Sequence, residues 1–156
     1  MSRRKIKAKK ILKPDPIYNS TLITQIINKI MKNGKKTTSE NIMYSILKNI
    51  KETKNQNPME VIKKSIENIT PKVEIKARRI GGATYQIPIE INETRGKNIA
   101  IKILIKSARK RTEKNMVSKL QNEIIDSYNN IGNSIKKKEE MHKMAEANKA
   151  FTILRI

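Results

Sequence analysis

Val73–Ile91, VEIKARRIGGATYQIPIEI, reads as two strands joined by a glycine turn, with apolar and polar residues alternating on either side. Side-chain pairing selects the turn length. A two-residue turn at Gly81-Gly82 would set Lys76 opposite Ile87 and Glu74 opposite Ile89, mixing charge with hydrocarbon on both faces. Adding Ala83 to the loop pairs Val73 with Ile91, Ile75 with Ile89 and Ala77 with Ile87, which makes one apolar face. A one-residue slip moves every side chain to the other face, so the three-residue loop is expected. Lys76, Arg78 and Gln86 then occupy the opposite face, with Arg79 and Tyr85 paired near the tip. Pro88 cannot donate a ladder hydrogen bond and suits a two-stranded ribbon, which is all edge. Such a ribbon is marginal alone, so its apolar base must rest on helices while the basic tip reaches outward.

The rest of the chain supplies those helices. Leu22, Ile23, Ile26, Ile27, Ile30 and Met31 form one helical stripe, ended by Asn33-Gly34. Thr37 with Glu40 predicts a capping box opening a second helix, with Ile42, Met43, Ile46, Leu47 and Ile50 inward. Asn57-Pro58-Met59-Glu60 supplies a cap, a first-turn proline and an acid for a third, lined by Met59, Ile62, Ile66 and Ile69. Between Ile99 and Arg111 the isoleucines alternate like a strand, yet Ala100, Ile103, Leu104 and Ala108 also share a helix face. The length of the run favours helix. Asn115 opens a fifth helix with Met116, Val117, Leu120 and Ile124, and a turn containing Gly132 leads to a sixth, about 134–148. The expected fold is mainly α: six helices with one protruding two-stranded antiparallel ribbon between helices three and four.

Charge decides the partner class. The 156 residues carry a formal net charge of +21, far beyond what solubility needs, and a polyanion is the natural counterweight. No stretch is apolar enough to span a membrane, and MSRRKIKAKKILK lacks the apolar run of a signal peptide. The absence of cysteine excludes disulfides and thiol chemistry, and a single His142 cannot build a histidine metal site. With one Phe, four Tyr and no Trp, stacking cannot be the main source of affinity, so binding must rest on phosphate contacts and shape. Residues 1–13 read as a basic arm without acids, ahead of a single helical domain over 14–156. Lys136-Lys137-Lys138 opens the last helix where its dipole disfavours cations, a local conflict that points to function.

No catalytic constellation is present. Glu139, Glu140 and Glu146 near His142 read as an exposed ion-paired face, with Glu139 and Lys143 at the spacing of a surface pair. Gly81-Gly82 is too short for a phosphate-binding loop and leads into a strand. No metal or cofactor is expected, and the chain reads as no enzyme.

The segments DPIYNSTLIT, NKIMKNGKKT, ARRIGGATYQIPIEI, SARKR and KKKEEMHKMAEANKAF, in this order and spacing, closely resemble the small-subunit ribosomal protein S-seven family, from about Asp15 to Phe151. The resemblance implies a helical domain with a β-ribbon, bound to the 3′ major domain of small-subunit rRNA. There it would nucleate assembly of the subunit head as a monomer within the ribosome, beside head and platform proteins. Exit-site tRNA and mRNA are the further candidate partners. Carried onto this chain, RNA contact falls to Arg3, Arg4, Lys35, Lys36, Lys76, Arg78, Arg79, Arg109, Lys110, Arg111, Lys136, Lys137, Lys138, His142 and Lys143. The ribbon tip, Gly81, Gly82, Ala83, Thr84 and Tyr85, would approach the tRNA exit site. The terminal TILRI departs from the more aromatic, histidine-containing tail of relatives. RGK at 95–97, KKKEE at 136–140 and the bias toward Ile, Lys and Asn resemble plastid-encoded members, implying the plastid stroma, with a bacterial cytoplasm as the alternative. A different class, an architectural DNA-binding protein with a basic β-arm, is also compatible with a basic ribbon containing proline. Reversing the charge of Arg78 and Arg79 together should weaken rRNA binding and leave the far-UV circular dichroism spectrum unchanged; equal RNA affinity would contradict the role given to the ribbon.

Overall fold

A computed structural model describes residues 12–54 and 57–154. The order is α1 (Thr21–Ile30), α2 (Lys36–Lys54), α3 (Pro58–Ile69), β1 (Val73–Ile80), β2 (Ala83–Glu90), α4 (Glu93–Arg109), α5 (Met116–Tyr128), α6 (Asn133–Ala147) and a closing 3₁₀ helix, Lys149–Leu154. The six helices and the antiparallel ribbon between α3 and α4 are those expected from the sequence. Arg3 and Arg4 of the basic arm lie outside the described residues.

The helices follow from their apolar stripes. Ile23, Ile26, Ile27 and Ile30 of α1 meet Met43, Ile46, Leu47 and Ile50 of α2, with Val61, Ile62, Ile66 and Ile69 of α3 joining the same core. Asn57 caps α3 as expected, its side chain accepting from the Met59 N–H at 3.1 Å. The capping box on α2 does not form: Thr37 lies inside the helix, and Glu40 pairs instead with Lys36 at 3.3 Å. The DPIY segment is fixed by Asp15. Its nearly buried carboxylate accepts from the Ile17 and Tyr18 N–H groups at 3.1 Å and from the Tyr44 hydroxyl at 2.8 Å, fastening the approach to α1 onto α2. Burial and that bond to Asp15 push the Tyr44 phenol up to about 12.

α4 sits at the centre, touching α1, α3, α5 and α6. Ala100, Ile101, Ile103, Leu104, Ile105 and Ala108 are all buried, so the strand-like alternation records a helix enclosed on most of its sides. It starts earlier than the periodicity suggests. Gly96 lies against the end of α3, where an added Cβ would come within 2.9 Å of Thr70 Cγ2.

The ribbon register differs from the sequence-based expectation. Val73 pairs with Glu90, Glu74 with Ile89, Lys76 with Ile87, Ala77 with Gln86 and Arg78 with Tyr85, so the loop holds two residues, not three. Gly81 and Gly82 both have positive φ, +57° and +88°, the backbone signature of a I′ turn, whose twist matches that of the strands. The mixed face is tolerated because its charge is neutralised. Glu74, 8% exposed, accepts from Arg95 Nε at 2.9 Å and pairs with Arg95 Nη2 at 2.8 Å, beside the fully buried Ile87. Arg95 comes from α4, and a pairing argument confined to the two strands omits it. Lys76, Arg78 and Tyr85 consequently share the packed face with Glu74 and Ile87, while Arg79 and Gln86 lie on the other.

Cross-linking checks the register. Ala77→Cys with Gln86→Cys, an exposed cross-strand pair, should oxidise readily to a disulfide, whereas Ala77→Cys with Ile87→Cys should not. The reverse result would restore the three-residue loop.

Candidate nucleic-acid interface

Because α4 is enclosed, its outward positions are few. From Ile99 to the end of the helix every exposed position is basic: Lys102, Lys106 and Arg109, followed by Lys110 at the cap. Spacing of four residues keeps Lys102, Lys106 and Lys110 in one row. On one side of that row Lys29 of α1 joins Lys102, Lys106, Arg109 and Lys110 around a shallow concavity of about 460 Å³. On the other, Lys136 and Lys137 of α6 face Lys102, Lys106 and Lys110 across a second concavity of about 450 Å³. Arg109 also donates from Nη2 to the Ile30 carbonyl at 3.1 Å, fixing the end of α1, and the Lys35-Lys36 turn that follows, against α4.

The remaining candidates have other positions. Lys138 turns inward and donates to the Asn68 carbonyl at 2.7 Å. Lys137 pairs with Glu140, whose carboxyl is lowered by that bond and by the lysine charge, whereas Glu139 and Lys143 form no pair among the described residues. His142 Nε2 accepts the Lys72 N–H at 3.2 Å, so only its other ring nitrogen is free to face a phosphate. Burial and the nearby charges of Lys138 and Lys72 lower its pKa, keeping the ring neutral near pH 7. Lys76 stands 3.5 Å from Glu74. The ribbon, with Arg78 and Arg79, rests on α6 and the 3₁₀ helix, and Tyr85 of the tip region meets Phe151 at 5.5 Å between ring centroids. The structure thus brings Arg109, Lys110, Lys136 and Lys137 together and keeps the ribbon cations as a second group.

Arg111 has a different setting from its neighbours. Its guanidinium is one-fifth exposed and reaches Glu113 at 2.9 Å, Glu123 at 2.8 Å and Asp126 at 2.7 Å. Burial alone would lower its pKa; the hydrogen bonds to Glu123, Glu113 and Asp126 outweigh that and raise it. Any phosphate contact by Arg111 would compete with three carboxylates already in place. Lys29, Lys102 and Lys106 are not among the residues that the sequence singles out. The signal for the last two was there, in lysines four apart on a helix otherwise made of isoleucine, leucine and alanine.

The Arg111 cluster predicts an acid response. Hydrogen bonds from Arg111 and Asn122 hold the Glu113 carboxyl down to about 2, against an ordinary value of about 4.3. A depressed carboxyl stabilises the fold above its unfolded value and loses that contribution as pH falls through its folded one. The melting temperature should therefore drop between about pH 4.5 and 2, and drop less steeply in Arg111→Gln. Identical slopes would contradict the pairing.

The sequence has counterparts among known proteins. A family model described as ribosomal protein S7p/S5e matches residues 2–149. "Small ribosomal subunit protein uS7c" of Euglena gracilis is 50% identical over 152 residues, covering 97% of each chain. "Small ribosomal subunit protein uS7" of Pelagibacter ubique is 46% identical over 99% of each chain, and that of Microcystis aeruginosa 51% over 97%. The chain therefore belongs to the ribosomal protein S7p/S5e family, and it is a structural ribosomal protein, not an enzyme.

Proposed function

We propose that this protein is a structural constituent of the small ribosomal subunit that binds the 3′ major domain of its rRNA. In doing so it seeds assembly of the subunit head, among head and platform proteins. One observation carries the reading: from Ile99 onward every exposed position of the central helix is cationic, and α1 and α6 add cations on both flanks. Cations on packed helices keep their spacing, so they select an RNA surface whose phosphates match it. Flexible cations would bind any polyanion. The region 14–156 acts as one rRNA-binding domain, and Arg3 and Arg4 of the preceding arm add contacts of the same kind. Arg78, Arg79 and the tip, Gly81 to Tyr85, form the separate surface that approaches the tRNA exit site.

Pro88 pairs with Ile75 well down the arm, away from the turn, so it offers no wedge at the tip for opening a DNA minor groove. The plastid stroma is the compartment favoured by the Ile, Lys and Asn bias, and a bacterial cytoplasm is the other.

Lys102→Ala with Lys106→Ala should weaken binding to a transcript of the 3′ major domain. The log–log salt slope should become shallower by about two, roughly one unit for each lost phosphate contact. An unchanged slope would contradict the assignment of this face.

A further inference from the structure

The lysine run that opens α6 conflicts with the helix dipole, and the structure shows what compensates for it. Gly132 is the N-cap of α6 and has no side chain to accept a first-turn N–H. Glu123 of α5 takes that role. Its Oε1 accepts the Ser134 N–H at 2.8 Å and the Ser134 hydroxyl as well, and its Oε2 lies 2.8 Å from Arg111 Nη1. The residue is 0% exposed. A negative charge at the start of a helix offsets both the dipole and the cations that follow.

Geometry gives this carboxylate a second consequence. Arg111 directly follows Lys110, and Ser134 stands two residues before Lys136, so a single buried group ties the end of the α4 row to the start of the α6 row. Those rows are the two walls of the same concavity. The turn from α5 into α6 is closely packed against the same carboxylate. At Gly132, with φ +102°, an added Cβ would sit 3.1 Å from Asp126 Cβ and 3.5 Å from Glu123 Oε1.

We propose that Glu123, acting through Arg111 and Ser134, is a positioning residue for RNA binding: it sets the separation of Lys136 and Lys137 from Lys102, Lys106 and Lys110 so that both rows engage one phosphate backbone. The proposal rests on the rRNA-binding reading of this face. It also makes Arg111 part of the scaffold and not of the contact surface.

A double-mutant cycle on the full chain separates positioning from mere stability. Affinity for the 3′ major domain transcript is measured for Glu123→Gln, for Lys136→Ala with Lys137→Ala, and for all three together. Glu123→Gln should weaken binding about tenfold, although its side chain is out of reach of RNA. On that background the lysine changes should matter at least about threefold less than in the unmodified chain. Arg79→Ala, on the ribbon, should weaken binding by the same factor on both backgrounds. Simple multiplication of factors for the lysine pair would overturn the proposal and leave Glu123 as a stability residue only. Lysine changes without effect in the unmodified chain would overturn the reading of the α6 row itself. Should Glu123→Gln lose its folded circular dichroism spectrum, Ser134→Ala, which removes one donor to the carboxylate, is taken through the same cycle, and the same non-additivity is expected at smaller size.

Discussion

Enclosure of α4 by four other helices is the constraint on which the rest of the molecule depends. A helix packed on nearly every side can expose only a narrow stripe, and its backbone cannot turn to present another. Ile101, Leu104 and Ala108 fix the rotation of α4 because each is fully buried, and moving Ile101 or Leu104 to water would cost about 2 kcal/mol. Lys102, Lys106 and Arg109 then point outward by necessity. Their mutual geometry is inherited from the core. That coupling turns a large positive charge, which by itself would bind polyanions indiscriminately, into an arrangement with a shape.

Two buried acids complete this arrangement. Glu74 neutralises Arg95 where the ribbon leaves the helical body, and Glu123 neutralises Arg111 where α4, α5 and α6 meet. Each leaves a buried or nearly buried carboxylate that would be costly without its partner, so each joint is held to one geometry. Several other acids form exposed pairs along helices, such as Lys48 with Glu52 and Lys97 with Glu93, which contribute little. The interior joints fix positions, and the surface cations of α4 and α6 are left facing outward.

The sequence shows this division only in part. The helices are legible because isoleucine, leucine and methionine repeat at helical spacing, and the Asn57-Pro58 cap is legible because its chemistry is local. The ribbon is legible as a ribbon. Its register is not, because the deciding residue, Arg95, lies outside the two strands and makes Glu74 acceptable on the packed face. Arg109-Lys110-Arg111 reads as one basic patch, yet the three side chains part: Arg109 also fastens the end of α1, Lys110 lines both concavities, and Arg111 is held by Glu123 and Asp126, twelve and fifteen residues on, as well as by Glu113. Pairing at such separations leaves no periodic trace. The lysine run at the start of α6 is legible as a local conflict, and the conflict is resolved by Glu123, a residue with no sequence feature that marks it.

A competition experiment tests the central claim most directly. Labelled 3′ major domain rRNA bound to the protein is challenged with unlabelled rRNA, heparin and duplex DNA at equal concentrations of negative charge. Fixed cation geometry predicts that the folded rRNA competes best, by about tenfold or more at moderate salt, because only it matches the spacing of the α4 and α6 rows. Equal competition by all three would mean that the positions of the cations carry no information, and would contradict the account.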